Sequence, residues 1–144
     1  MGDVASDDQV RTAARAATFD AQHEELLAFI AKILERDAKG ALKAELSLLL
    51  WQLVSRTEHH FADEEGYMRS TGYARLDTHE IMHTQLLTAL RGHAIEFETG
   101  TGRLGSRLVT FIKFWLMTHI NGMDKDITHG APPIPASTLR PVRR

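Results

Sequence analysis

Apolar residues recur along this chain at steps of three and four, the spacing that places side chains on one face of an α-helix. Four segments show this pattern, and glycines near positions 40, 72, 100–105 and 122 separate or end them. Proline is absent from residues 1 to 131, so no helix-breaking residue interrupts the segments. The pattern therefore predicts four helices in succession.

Cap residues and glycines set the bounds that we expect for these helices, with Asp20 as an N-cap and Gly40 as a stop for the first. The expected ranges are about 20–37, 41–70, 77–97 and 106–122. Helices joined by short connections favour antiparallel neighbours. We therefore expect an all-α protein, an up-down-up-down antiparallel four-helix bundle over residues 18–128. Residues 1–17 would form an N-terminal arm, and the proline-rich residues 129–144 a flexible C-terminal tail.

Histidines and a carboxylate occupy positions on the inward faces of these helices, where apolar residues are expected. His60 and Glu64 are four residues apart in HFADE, and His79 and His83 have the same spacing in HEIMH, so each pair shares a helix face. His23 on the first helix and His119 on the fourth continue the apolar stripes of their own helices. Burying an imidazole without a partner costs about 1–3 kcal/mol, and a shared metal removes that cost. The pattern favours a shared metal site in the bundle core.

The spacing of the remaining candidate ligands does not by itself place them beside these inward residues. Asp124 follows His119 by five residues, which on a continuous helix rotates it about 140° away; a helix end or distortion at Gly122 would let it turn back. His59 is about 100° off the inward face and is expected to be solvated. His129 lies in or near the tail, and His93 is about 15 Å along the helix from His83, too far to bind the same metal.

Composition narrows the classes of function. At 144 residues, 43% of them hydrophobic, the chain fits one domain with a sizeable core. The formal net charge of -2 gives no reason to expect binding to nucleic acid or to a membrane surface. The absence of cysteine excludes disulfides, thiolate zinc sites, iron–sulfur clusters and a cysteine nucleophile. The chain shows neither a signal-peptide pattern nor an apolar run of membrane-spanning length, so we expect a cytoplasmic protein without membrane insertion.

The order H…HxxxE…HxxxH…HxxxxD resembles the ligand signature of the hemerythrin family over about residues 18 to 126. The flanking segments DAQHEEL, HFADEEGYM and WLMTHINGMD are similar as well, as in the family's single-domain bacterial members, the bacteriohemerythrins. The resemblance implies two iron ions per chain. His79, His83 and His119 would bind one iron, and His23 and His60 the other, with Glu64, Asp124 and an oxo or hydroxo ligand as bridges.

This implied ligand set leaves one coordination position open. Two octahedral irons offer about twelve positions, of which five imidazoles, two bridging carboxylates and one bridging oxygen take about eleven. The open position is on the iron with two histidines, where a diatomic ligand could bind. The residues that match the family's oxygen-pocket positions are all apolar, namely Leu26, Phe61, Trp115 and Ile120.

The resemblance therefore implies reversible dioxygen binding at a non-haem di-iron centre, for oxygen transport, storage or delivery to an oxygen-consuming enzyme. We expect no enzyme activity, because these positions supply no general base or nucleophile for an organic substrate. The alternatives are an oxygen sensor, a di-iron enzyme that handles peroxide or nitric oxide, and metal storage or structural zinc binding.

Overall fold

The computed structural model describes residues 7–121, which form helices joined by short connections. The helices are α1 (Asp7–Ala38), α2 (Lys43–Thr71), α3 (Leu76–Thr99), α4 (Ser106–Thr110) and α5 (Met117–Asn121), with a π-helical stretch, Phe111–Leu116, between the last two. The backbone is right-handed helical at both junctions of this stretch. We therefore call α4, the π-helical stretch and α5 together the fourth helix of the bundle.

The helices pack as the sequence predicts. α2 lies against α1 and α3, and α1 contacts α5. Helices that follow one another along the chain are therefore neighbours in the bundle, and the last helix returns to the first. Residues 7–121 contain no strand, and within this range no helix is both long enough and apolar enough to cross a membrane. The predicted all-α four-helix bundle is confirmed. Asp124, His129 and the expected tail over 129–144 lie outside the described residues.

The predicted start of the first helix at Asp20 is wrong. α1 begins at Asp7, because the segment before Asp20 is rich in alanine, the residue with the highest helix propensity, and contains neither glycine nor proline after Gly2. Alanine adds little to an apolar stripe, so periodicity alone did not detect these turns. Residues 7–17 of the expected arm are the first turns of α1, while the domain bounds themselves stay a prediction.

The apolar core fills the half of the bundle that lies towards the α1–α2 connection. Its most deeply buried members are at most 1% exposed: Ile30, Ile33, Leu46, Leu50, Leu53, Leu90, Ala94, Ile112 and Leu116. Burial of one such leucine or isoleucine side chain stabilises the fold by about 1.5–3 kcal/mol. The other half of the bundle, where α2 turns into α3, buries polar side chains beside apolar ones such as Phe19, Phe61 and Met68.

Polar contacts fix the connections between helices. Arg36 near the end of α1 donates two hydrogen bonds to Glu45 at the start of α2, at 2.9 and 3.0 Å. The backbone N–H of Leu104 donates to Asp37 at 3.1 Å, which ties the α3–α4 connection to the end of α1. Gly72 ends α2 in the left-handed region, with φ +67°, and the N–H of Tyr73 then donates to the carbonyl of Met68 at 2.9 Å.

Candidate metal centre

Every helix of the bundle contributes at least one buried donor side chain to the polar half. Each of the six is at most 4% exposed: His23 on α1, His60 and Glu64 on α2, His79 and His83 on α3, and His119 on α5. The i, i+4 spacing on α2 and on α3 directs each pair inward from one helix face. Six polar groups at such depth are unusual in a core unless they serve a shared partner.

These side chains form two groups that each could hold a metal ion. His79, His83 and His119 make one group, and His23, His60 and Glu64 the other. Within each group the possible ligand atoms all lie within 4.8 Å of one another. The structure thus divides the histidines in the way that the sequence resemblance implies, three on one side and two on the other.

Glu64 lies between the two groups. Its Oε1 is 2.9 Å from Nε2 of His60 and 3.8 Å from Nε2 of His83, and its Oε2 is 3.6 Å from Nε2 of His23. The carboxylate is fully buried and faces rings from three different helices. A carboxylate in this position is suited to bridge two cations.

The donor set fits a pair of transition-metal ions. Ligands bound about 2.1 Å from one metal at a right angle lie about 3.0 Å apart, close to the 2.9 Å between His60 and Glu64. Imidazole and carboxylate donors suit iron as well as zinc. The described residues therefore fit a di-metal site, and Asp124, expected as the second bridge, lies outside them.

Of the four predicted oxygen-pocket residues, Leu26 and Phe61 are buried, at 3% and 1% exposure. The Phe61 ring stacks on His83, with 3.7 Å between ring centroids and 3° between planes, and its centroid is 5.6 Å from that of His119. Phe61 therefore lies against the three-histidine group, and its ring centroid is also 6.0 Å from that of His60 in the other group. The side chains of Trp115 and Ile120 are outside the described part of the structure.

Three further residues at the site were not predicted from the sequence. Gln22 Oε1 is 2.6 Å from Nδ1 of His60, and Glu65 Oε1 is 3.4 Å from Nδ1 of His83. Phe19, 1% exposed, lies edge-on to His60. The apolar stripe of α1 could have identified Phe19, which is four residues before His23, whereas Gln22 and Glu65 merely adjoin ligands along the chain.

The two other described histidines, His59 and His93, lie where the helix pattern places them. His59 is 81% exposed, as expected for its solvated face. His93 is half-buried beside Phe111, with 5.0 Å between ring centroids, and joins neither donor group. Burial lowers the pKa of His93, and Arg107 lowers it further while Glu96 opposes the shift.

Comparison with known proteins agrees with this geometry. The family model described as "Hemerythrin HHE cation binding domain" matches residues 15–128. Myohemerythrin from Riftia pachyptila is 32% identical over 105 residues, which are 73% of this chain and 76% of that protein. Bacteriohemerythrin from Ralstonia nicotianae is 31% identical over 78% of each chain. The bacteriohemerythrin of Methylococcus capsulatus is 27% identical over 74% of this chain and 80% of its own. No solved structure matches significantly. The chain belongs to the hemerythrin family.

Proposed function

We propose that this protein binds dioxygen reversibly at a non-haem di-iron centre, as an oxygen carrier or storage protein. The observation that carries the proposal is the pair of adjoining, fully buried donor groups joined by Glu64. Membership of the hemerythrin family supports di-iron oxygen binding at the level of the family. Bound iron would supply the electrons that dioxygen takes up when it binds.

The candidate ligands would bind two iron ions, one in each half of the site. His79, His83 and His119 would hold one iron, and His23 and His60 the other, with Glu64 and Asp124 bridging them. The half with fewer imidazoles would have a coordination position left over, on the ligand count that the family resemblance implies. A small ligand would therefore bind on the side of His23 and His60.

The apolar residues favour binding over catalysis. Leu26 and Phe61 are buried, and we assign Trp115 and Ile120 to the same wall from their positions in the sequence. A wall of this kind keeps water and protons away from a bound ligand. It offers no general base or nucleophile to an organic substrate, so we propose that the protein is not an enzyme.

An optical spectrum of the iron-loaded full chain tests the proposal. The protein is reduced without air, then exposed to air, then returned to argon, and its metal content is measured in parallel. We expect about two irons per chain and an absorption band that appears with oxygen and disappears under argon. A single metal per chain, or zinc at full occupancy from iron-replete cells, would contradict the di-iron centre. Irreversible oxidation with turnover of peroxide or nitric oxide would show the alternative, an enzyme.

The physiological use that we propose is storage of oxygen or its delivery to an oxygen-consuming enzyme in the cytoplasm. The described residues support this only through the site itself, where a small ligand would lie among buried side chains such as Leu26 and Phe61. A sensor would instead change the activity of a partner when oxygen binds.

A further inference from the structure

Gln22 on α1 connects the candidate metal ligand His60 to the carboxylate of Asp63, and both of these residues lie on α2. Its amide lies on α1, facing α2. Oε1 is 2.6 Å from Nδ1 of His60, and Nε2 donates a hydrogen bond to Oδ2 of Asp63 at 3.1 Å. The three side chains form a short polar chain from the outside of the bundle to the buried imidazole.

This arrangement determines which nitrogen of His60 carries the proton. An ionised carboxylate can only accept hydrogen bonds, so Asp63 requires the NH₂ group of Gln22 to face it. The amide oxygen must then face His60, which makes Nδ1 the protonated donor. The lone pair of His60 is left on Nε2, the atom that lies 2.9 Å from Glu64 and that a metal needs.

A surface cleft borders the outer end of this polar chain. Gln22 and His60 both line a surface cleft of about 370 Å³ between α1 and α2, together with Ser55 and Arg56. A water molecule in place of the Gln22 amide could donate a hydrogen bond to the imidazole or accept one from it, which would leave the tautomer of His60 undetermined. An amide held by Asp63 offers one orientation only.

The other half of the site presents a different group to its imidazole. Nδ1 of His83 is 3.4 Å from a carboxylate oxygen of Glu65, whereas Nδ1 of His60 faces a neutral amide. A carboxylate partner makes a ligating imidazole more basic and a stronger electron donor than an amide does. The two halves of the centre are therefore unequal in their outer contacts as well as in their number of histidines.

We propose that Gln22, oriented by Asp63, is a positioning residue of the metal centre, which fixes the ligating tautomer of His60 and keeps it a weaker donor than His83. The proposal rests on the proposed function in one respect, that His60 binds a metal. It assigns a role to a residue that itself touches no metal.

The first test uses cobalt(II) as a probe, so that it does not depend on oxygen chemistry. The cobalt-loaded full chain is titrated with a chelator, in the wild type, in Gln22→Leu and in a control, Gln52→Leu, which changes an exposed glutamine on α2. Loss of a group that orients a ligating imidazole lowers metal affinity about 10- to 100-fold. We expect that loss in Gln22→Leu and none in the control; equal affinities in the two variants would overturn the proposal.

The second test moves a negative charge without changing the total. In Gln22→Glu/Asp63→Asn a carboxylate contacts His60, and the asparagine amide can donate to it in return. We expect cobalt affinity near that of the wild type and, in the iron-loaded protein, a lower midpoint potential, because the stronger donor stabilises ferric iron. Glu65→Gln should shift the potential the opposite way. An unchanged potential in the double variant would contradict the assigned donor strength, even if Gln22→Leu fails to fold.

Failure of the proposed function can be distinguished from failure of this inference. A wild type that holds other than two irons, or shows no reversible oxygen band, contradicts the function. The cobalt comparison between Gln22→Leu and Gln52→Leu decides the role of Gln22 in either case.

Discussion

Two adjacent histidines on α2 show how position on a helix separates a candidate metal ligand from a surface residue. The side chain of His60 is 3% exposed and contacts Glu64, whereas that of His59 is 81% exposed, with Nε2 3.9 Å from Asp63. One residue along an α-helix is a rotation of about 100°, which is enough to move an imidazole from the core to the solvent. The same residue type thus has a different role at each position.

This pair gives a matched prediction at the residue scale. His60→Ala removes one of the two imidazoles of its group, so we expect iron content to fall from about two per chain towards one. His59→Ala should keep the wild-type content, because that side chain lies outside both groups. Metal analysis of both purified variants checks the prediction, and equal iron loss in the two would contradict the assignment of His60.

The inward position of the paired candidate ligands could be predicted from sequence because both members of each pair lie on one helix. His60 with Glu64, and His79 with His83, share a face by spacing alone. The partner of His60, Gln22, could not be predicted in this way, because the contact depends on how α1 packs beside α2. A contact between side chains on two different helices can be identified only when the packing of those helices is known.

At the scale of elements, a helix was predictable where apolar residues mark one of its faces and where a glycine ends the helix. α2 and α3 begin and end within about two residues of the expected positions. The early start of α1 was missed because alanine extends a helix without marking a face. The π-helical stretch Phe111–Leu116 was missed too, since an apolar spacing of three or four does not report the hydrogen-bond pattern of the backbone.

Replacing each of two glycines by alanine should change the free energy of unfolding in opposite directions. Gly72 adopts φ +67° at the end of α2, a conformation that costs a residue with a Cβ about 1–2 kcal/mol. Gly92 lies inside α3, and a Cβ there would meet nothing within 4 Å. We expect Gly72→Ala to lower the free energy of unfolding by about 1–2 kcal/mol and Gly92→Ala to raise it by about 0.5–1 kcal/mol. Urea denaturation of both variants checks the signs, and a stabilising Gly72→Ala would show that α2 ends differently.

For the whole molecule, the bundle has an apolar half and a polar half that differ in what holds them together. The first contains Leu46, Leu50 and Leu90, all fully buried, and needs no ligand to be stable. The second buries five imidazoles and a carboxylate drawn from α1, α2, α3 and α5. Ionisable groups buried at this depth are costly unless a partner compensates them, so the stability of this half should depend on metal.

The last prediction is that removal of iron lowers the melting temperature of the full chain. A ligand present at about 1000 times its Kd stabilises the folded state by about 4 kcal/mol, which for a chain of this size is a shift on the order of 10 °C. Differential scanning calorimetry before and after chelation, with residual iron measured, gives the shift, and added iron should reverse it. His60→Ala, which should hold less iron, is expected to lose less on chelation. An unchanged melting temperature after verified removal of iron would mean that the metal does not link the four helices, because a cation bound at the periphery could leave without depriving the buried imidazoles and carboxylate of their partner.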